Sequence, residues 1–278
     1  MSEWPGEARP GAVPGPPPLL PVRAGVVVGQ FLLDVVVAFT ALMAVSMLAS
    51  MAWAVAQTLR LVQAGAIADP ADTEALVRAL GQPGPLAQIV MAVLGMSAAA
   101  LLLYFWRRRA GPAERVRSRV AVARPSTWGW SVLVGLAVFA ASSLIGWLMQ
   151  RAGVEPVPSN MALVDEAGKR WPVFLFVFAV VLAPAYEELL FRRVLFGRFL
   201  AAGRPWLGVV LSSAAFALVH EVPGLSGNPP LAVLQLWLVY AGMGAAFAWL
   251  YWRTGTLWAP IAAHALNNAV ALGVHGLG

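Results

Sequence analysis

The sequence predicts an all-α fold, a polytopic membrane bundle of about seven to eight transmembrane helices. Of its 278 residues, 60% are hydrophobic and 12% are charged, whereas soluble domains carry about a quarter charged residues and under half apolar ones. Mean hydropathy is +0.74. The apolar residues fall into runs close to the ~20 needed to cross a bilayer, separated by short polar segments. A water-soluble fold of this length cannot hide so much apolar surface.

The elements follow in order. Residues 1–23, MSEWPGEARPGAVPGPPPLLPVR, are rich in Pro and Gly and predict a flexible tail. They do not resemble a signal peptide, because the apolar run that follows is too long and has no small-residue cleavage pattern. Spans are predicted near 26–56, 85–106, 128–149, 171–190, 206–220, 231–252 and 256–274. The first is overlong and contains Asp34, so its membrane part is expected nearer 35–56, with Asp34 as an interfacial charge. The chain thus divides into the tail, N-terminal membrane helices over 24–125 and a second membrane unit over 126–278.

Net charge is +6, and 18 of the 19 basic residues are Arg. The arginines cluster between apolar runs, so they predict topology signals and lipid-headgroup contacts rather than a nucleic-acid surface. The segment RRRAGPAERVRSRVAVARP, 107–125, carries seven Arg and one Glu and is expected in the cytoplasm. Alternation then gives a multi-pass protein of the cell membrane with its N-terminus inside and the 57–84 loop outside. The chain has no Cys, which excludes disulfides, thiolate metal sites and cysteine catalysis.

A charge inside a span costs ~2.5–3.5 kcal/mol on insertion scales, so such residues normally face the bundle interior and serve a purpose. The candidates are Asp34, Glu187, Glu188, Arg192, His220, His264 and the amides Asn267 and Asn268. All but Asp34 lie in the last third of the chain, which points to one site. In a helix Glu188 and Arg192 are i,i+4 and predict a structural ion pair. Glu187, turned about 100° away, is left free to act as a general base on water. Pro184 just before it is expected to bend the helix and free backbone groups. Phe216 and His220 are again four apart, as are His264 and Asn268. A Glu, two His and an Asn from three segments can hold a water and stabilise an oxyanion, and His2Glu is also a catalytic zinc set.

EELLFR (Glu187, Glu188, Arg192), FALVH (Phe216, His220) and HALNN (His264, Asn268) resemble, in this order, the motifs EExxxR, FxxxH and HxxxN/D of the CPBP family, the CAAX-protease and bacteriocin-processing or Abi proteins. WRTGTLWAPIAAHALNN is similar to that family's usual final segment. The resemblance covers about residues 171–274. It implies an intramembrane endopeptidase of about eight spans. Glu187 would activate the attacking water, and His220 and His264 would position water or substrate. Asn268 with His264 would form the oxyanion site, while Glu188, Arg192 and Phe216 would support it. The family is described both as metal-dependent and as metal-free. The lack of a further strong ligand favours no cofactor here, with Zn2+ on Glu187, His220 and His264 as the alternative. The implied partners are the lipid bilayer and a peptide or protein substrate in or at the membrane, with no nucleic acid. Two other readings fit less well: a non-catalytic scaffold or bacteriocin-immunity protein of the same fold, and a proton-coupled transporter, which would be expected to show repeated halves. Simple alternation leaves one difficulty, since it places Glu187 toward the inner side of its span and His220 at the outer end of the next.

Overall fold

The computed structural model describes residues 23–66 and 72–275. The expected tail over 1–22, and Asp69 of the expected outer loop, lie outside those residues. Among the described residues every regular element is helical: α1 Ala24–Gln63, α2 Thr73–Leu80, α3 Pro85–Arg107, α4 Pro112–Val122, α5 Pro125–Arg151 and α6 Met161–Arg170, then α7 Pro172–Ala201, α8 Pro205–His220, α9 Pro230–Thr254 and α10 Trp258–His275. Six of these start on proline, at the position where a missing N–H costs nothing and the fixed φ suits a helix. Gly255, at φ 69°, turns the chain from α9 into α10, a conformation open to glycine at little cost.

Among the described residues five helices are long and apolar enough to cross a membrane: α1, α3, α5, α7 and α9. Seven spans were expected. The difference lies in α8, which has 16 residues, and in α10, whose His264, Asn267 and Asn268 lower its hydropathy. α1 is one continuous 40-residue helix, about 60 Å long.

α7 sits at the centre, touching α3, α8, α9 and α10. α1 packs along α3, α8 along α9 and α5 along α10. Small residues permit the close crossings. A Cβ at Gly244 of α9 would stand 3.0 Å from Ser213 of α8, and one at Gly135 of α5 would stand 2.7 Å from the Ala263 carbonyl of α10.

The Arg-rich ends of α3, α4 and α7 meet at one end of the bundle. Asp34 is fully buried there, held by Arg107 and by Arg198, whose Nε donates at 2.8 Å. It packs against protein, where two guanidiniums compensate its burial. Arg193 fixes α4 by a bidentate pair with Glu114, at 2.8 and 2.7 Å. That pairing and the Gly111 N–H at 2.8 Å hold the Glu114 carboxyl down at about 2.

α7 is not a uniform α-helix. It widens to π-helix over Phe178–Leu182 and again over Leu189–Phe196. The Ala183 N–H reaches back five residues to the Phe178 carbonyl, and the Gly197 N–H reaches back five to that of Arg192. Such widened turns are frequent at functional sites. They also resolve the difficulty of depth. α8 spans only about 24 Å, short of the ~30 Å hydrocarbon core, so its last residue, His220, stops inside the bundle. Glu187, the sixteenth residue of the 30 in α7, is near mid-span and meets it there.

Candidate active site

Glu187 and Glu188 occupy the turn of α7 between its two widened segments. Glu188 is fully buried and bridges two cations or potential cations. Its Oε1 lies 2.9 Å from His264 Nδ1 and its Oε2 3.0 Å from Arg192 Nε. The Arg192 N–H is not aimed at that oxygen, since neither atom has a hydrogen-bond partner, so the contact is ionic rather than a directed hydrogen bond. Arg192 is 1% exposed. Its guanidinium stands 4.6 Å over Phe216 and 5.5 Å over Phe247, and Nη2 donates to the Gly244 carbonyl at 3.4 Å. Ring faces and one carboxylate thus replace its water shell. The expected Glu188–Arg192 pair is present, and Glu188 has the additional task of holding His264.

Both imidazoles are oriented through Nδ1. His220 Nδ1 lies 2.8 Å from the Phe216 carbonyl. A carbonyl only accepts, so Nδ1 carries the hydrogen and Nε2 presents a lone pair. Nε2 of His220 is 3.6 Å, and Nε2 of His264 3.9 Å, from Glu187 Oε2. That oxygen is buried without a hydrogen-bond partner. His220 is stacked between Phe216, at 4.3 Å, and Tyr240, at 4.6 Å, and His264 stacks on Phe247 at 5.0 Å. Phe216 is therefore a floor for both His220 and Arg192.

Asn268 joins the same group from α10. Its Nδ2 donates at 2.8 Å to the Ala179 carbonyl, and its Oδ1 accepts from Asn267 at 3.0 Å. The local reason is Pro184. In a frame of bonds five residues back, the Ala179 carbonyl would receive the N–H of residue 184, and proline has none. Asn268 satisfies the freed carbonyl, which fixes its amide plane and leaves its second N–H for the cavity.

Glu187, His220, His264 and Asn268 line a cavity of about 300 Å³ together with Tyr240 and with Met161, Val164 and Asp165 of α6. Elsewhere a clasp joins the loop before α6 to the loop before α9. Asn228 accepts from the Val157 N–H at 2.9 Å and donates to the Val157 carbonyl at 2.7 Å, while Glu221 accepts from the Ser159 N–H at 3.3 Å. Every motif residue singled out in the sequence gathers in the group around Glu187. Tyr240, Phe247 and the Ala179 carbonyl were not foreseen. Two are aromatics inside an apolar helix and one is backbone, so nothing in the sequence marked them.

The donor types of Glu187, His220 and His264 are those of zinc ligands. Ligands sharing a tetrahedral zinc at ~2.0–2.1 Å stand about 3.3 Å apart, closer than the 3.6 and 3.9 Å here. Among the described residues no group of three or more His, Asp or Glu side chains is placed to hold an ion. As arranged, the three do not fit a metal.

Comparison with known proteins places the same region. Residues 169–270 match the family model described as type II CAAX prenyl endopeptidase Rce1-like. The chain is 30% identical over 116 residues to YdiL of Bacillus subtilis (strain 168), a membrane peptidase by provisional name, covering 42% of this chain and 43% of that protein. It is 30% identical over 127 residues to the membrane-embedded CAAX protease MroQ of Staphylococcus aureus (strain USA300), covering 44% and 47%. The matches span less than half the length of these curated relatives. No solved structure matches the chain.

Proposed function

From an Rce1-like domain at residues 169–270, we propose that this multi-pass membrane chain is an intramembrane endopeptidase in which Glu187 activates water. The observation that carries the reading is the unpartnered, buried Oε2 of Glu187, faced by Nε2 of His220 and of His264 within a cavity. A water there donates one O–H to Glu187 and the other to His220. Glu187 takes its proton as the oxygen attacks the peptide carbonyl, and a C–O bond forms. The oxyanion falls to the free N–H of Asn268, with His264 beside it in the same cavity. Glu187 then gives the proton to the amide nitrogen, the C–N bond breaks, and an acid and an amine leave. His220 and His264 are catalytic residues in this scheme. Glu188, Arg192 and Phe216 are positioning residues.

The substrate class is a peptide or protein in or at the membrane, and the N-terminus is assigned to the cytoplasm by the arginines of 107–124. The test compares protein termini in membranes of cells carrying either the wild type or Glu187→Gln at equal abundance. The proposal requires termini that appear with the wild type and vanish with the variant. Identical termini in the two, with both proteins folded, would refute it and favour a scaffold.

A further inference from the structure

A cavity larger than the catalytic one lies elsewhere in the bundle. A second space of about 600 Å³ opens at the Arg-rich end of the bundle, between α4, α7 and the turn from α9 into α10. It shares no lining residue with the space around Glu187. Five arginines line it, Arg108, Arg115, Arg117, Arg119 and Arg193, against one carboxylate, Glu114.

That carboxylate is already committed. Its two oxygens take both Nη groups of Arg193 and the Gly111 N–H. Arg108 is left under-served. One Nη donates to the Gly197 carbonyl at 2.8 Å, but its Nε is buried without a partner. Burial, with the neighbouring guanidiniums of Arg193 and Arg198, pulls its pKa below the ordinary range. Arg115 and Arg119 are i,i+4 on α4 and share a face. α4 itself is fixed over the cavity by the Arg193–Glu114 pair and by Ser118, whose hydroxyl meets that of Thr256 at 2.7 Å. The wall is therefore rigid, positively charged and short of acceptors.

We propose that this cavity binds the phosphate headgroup of an anionic membrane phospholipid. A phosphate brings several strong acceptors, which planar guanidiniums meet in pairs. The lipid is favoured over a free anion by the rest of the wall. Trp252 and Trp258 line the cavity and are also 39% and 58% exposed, and Leu200 and Leu257 line it with them. The wall thus combines guanidiniums with apolar side chains suited to acyl chains, as where tryptophans and headgroups meet. Such a lipid would brace α4 against α7, one turn beyond Glu187 and Glu188.

The test uses the full chain in nanodiscs of equal phosphatidylglycerol and phosphatidylcholine, with retained lipid counted by native mass spectrometry. The wild type should retain one phosphatidylglycerol with a preference on the order of tenfold over phosphatidylcholine. Arg115→Gln/Arg117→Gln/Arg119→Gln, three exposed positions, should reduce that preference to about twofold while Arg60→Gln, on α1, leaves it intact. Arg119→Gln alone should give a partial loss, which keeps the test open if the triple variant folds poorly. Equal retention of the two lipids by the wild type would overturn the proposal, as would an undiminished preference in the folded variants. Displacement of the lipid by millimolar inorganic phosphate would overturn the lipid assignment and leave a free-anion site.

Discussion

The fixed place of His264 depends on a glycine that touches no reacting group. Gly135 of α5 lies against the backbone of Ala263, the residue before His264. A Cβ there would stand 2.7 Å from the Ala263 carbonyl oxygen and 3.3 Å from Leu266 Cβ. The first neighbour is backbone, so no rotamer change relieves it. Recovering ordinary contact in Gly135→Ala needs α10 to recede by about 0.7 Å. His264 then shifts against Glu187, from which it is now 3.9 Å away. A misplacement of ~1 Å can cost ~10²-fold in rate, so cleavage by Gly135→Ala should fall by about 10- to 100-fold. The overpacked contact should also cost ~1–3 kcal/mol of stability. Gly146→Ala is the control, on the same helix with nothing within 4 Å of its Cβ. It should cleave at the wild-type rate with equal or higher Tm, since alanine is the better helix former by about 1 kcal/mol. The assay is the initial rate of new N-terminus formation in proteoliposomes, on a substrate identified through its Glu187 dependence. Wild-type rates in Gly135→Ala would refute the claim that the α5–α10 contact sets the position of His264.

Three further outcomes are expected. Arg192→Met should lower stability in detergent by ~3–5 kcal/mol, because it takes the guanidinium from the buried Glu188; Glu188→Gln/Arg192→Met should recover most of that but none of the cleavage, and a double variant no more stable than the single would contradict the ion-pair account. The Glu114–Arg193 tie should depend on pH. Its carboxyl titrates at about 2 in the fold and near 4.3 when unfolded, so its contribution is present above the unfolded value and is lost as pH falls from there toward about 2. The Tm difference between wild type and Glu114→Gln should close over that window, and a difference independent of pH would count against the pairing. Finally, 1,10-phenanthroline should leave Glu187-dependent cleavage within about twofold, since the reaction is written without a metal; a deep loss restored by zinc would reverse that.

Much of the site was legible because charge in an apolar span is conspicuous. Glu187, Glu188, Arg192, His220, His264 and Asn268 each stand out against their neighbours, and their i,i+4 spacings reported which share a face. What the sequence withheld was long-range or made of ordinary apolar residues. Asp34 finds its partners 73 and 164 residues away, so no local pattern marks it as a tie between α1, α3 and α7. Phe247 and Tyr240 look like any core aromatic until an imidazole lies on them. The π segments of α7 leave no compositional trace, although Pro184 announced that a backbone carbonyl would be freed. Among the described residues five helices have the length and hydropathy of a full crossing, while the apolar runs of α8 and α10 are shorter or more polar.

The unequal lengths of α1 and α8 set up hydrophobic mismatch across a single molecule. α8 presents Trp206, Val210 and Val219 to the outside over about 24 Å, while α1 presents Phe39, Met47 and Leu48 along a far longer rod. Lipid beside α8 has to thin where lipid beside α1 does not. Under the proposed reaction, bilayer thickness, set by acyl-chain length, should alter the rate of cleavage.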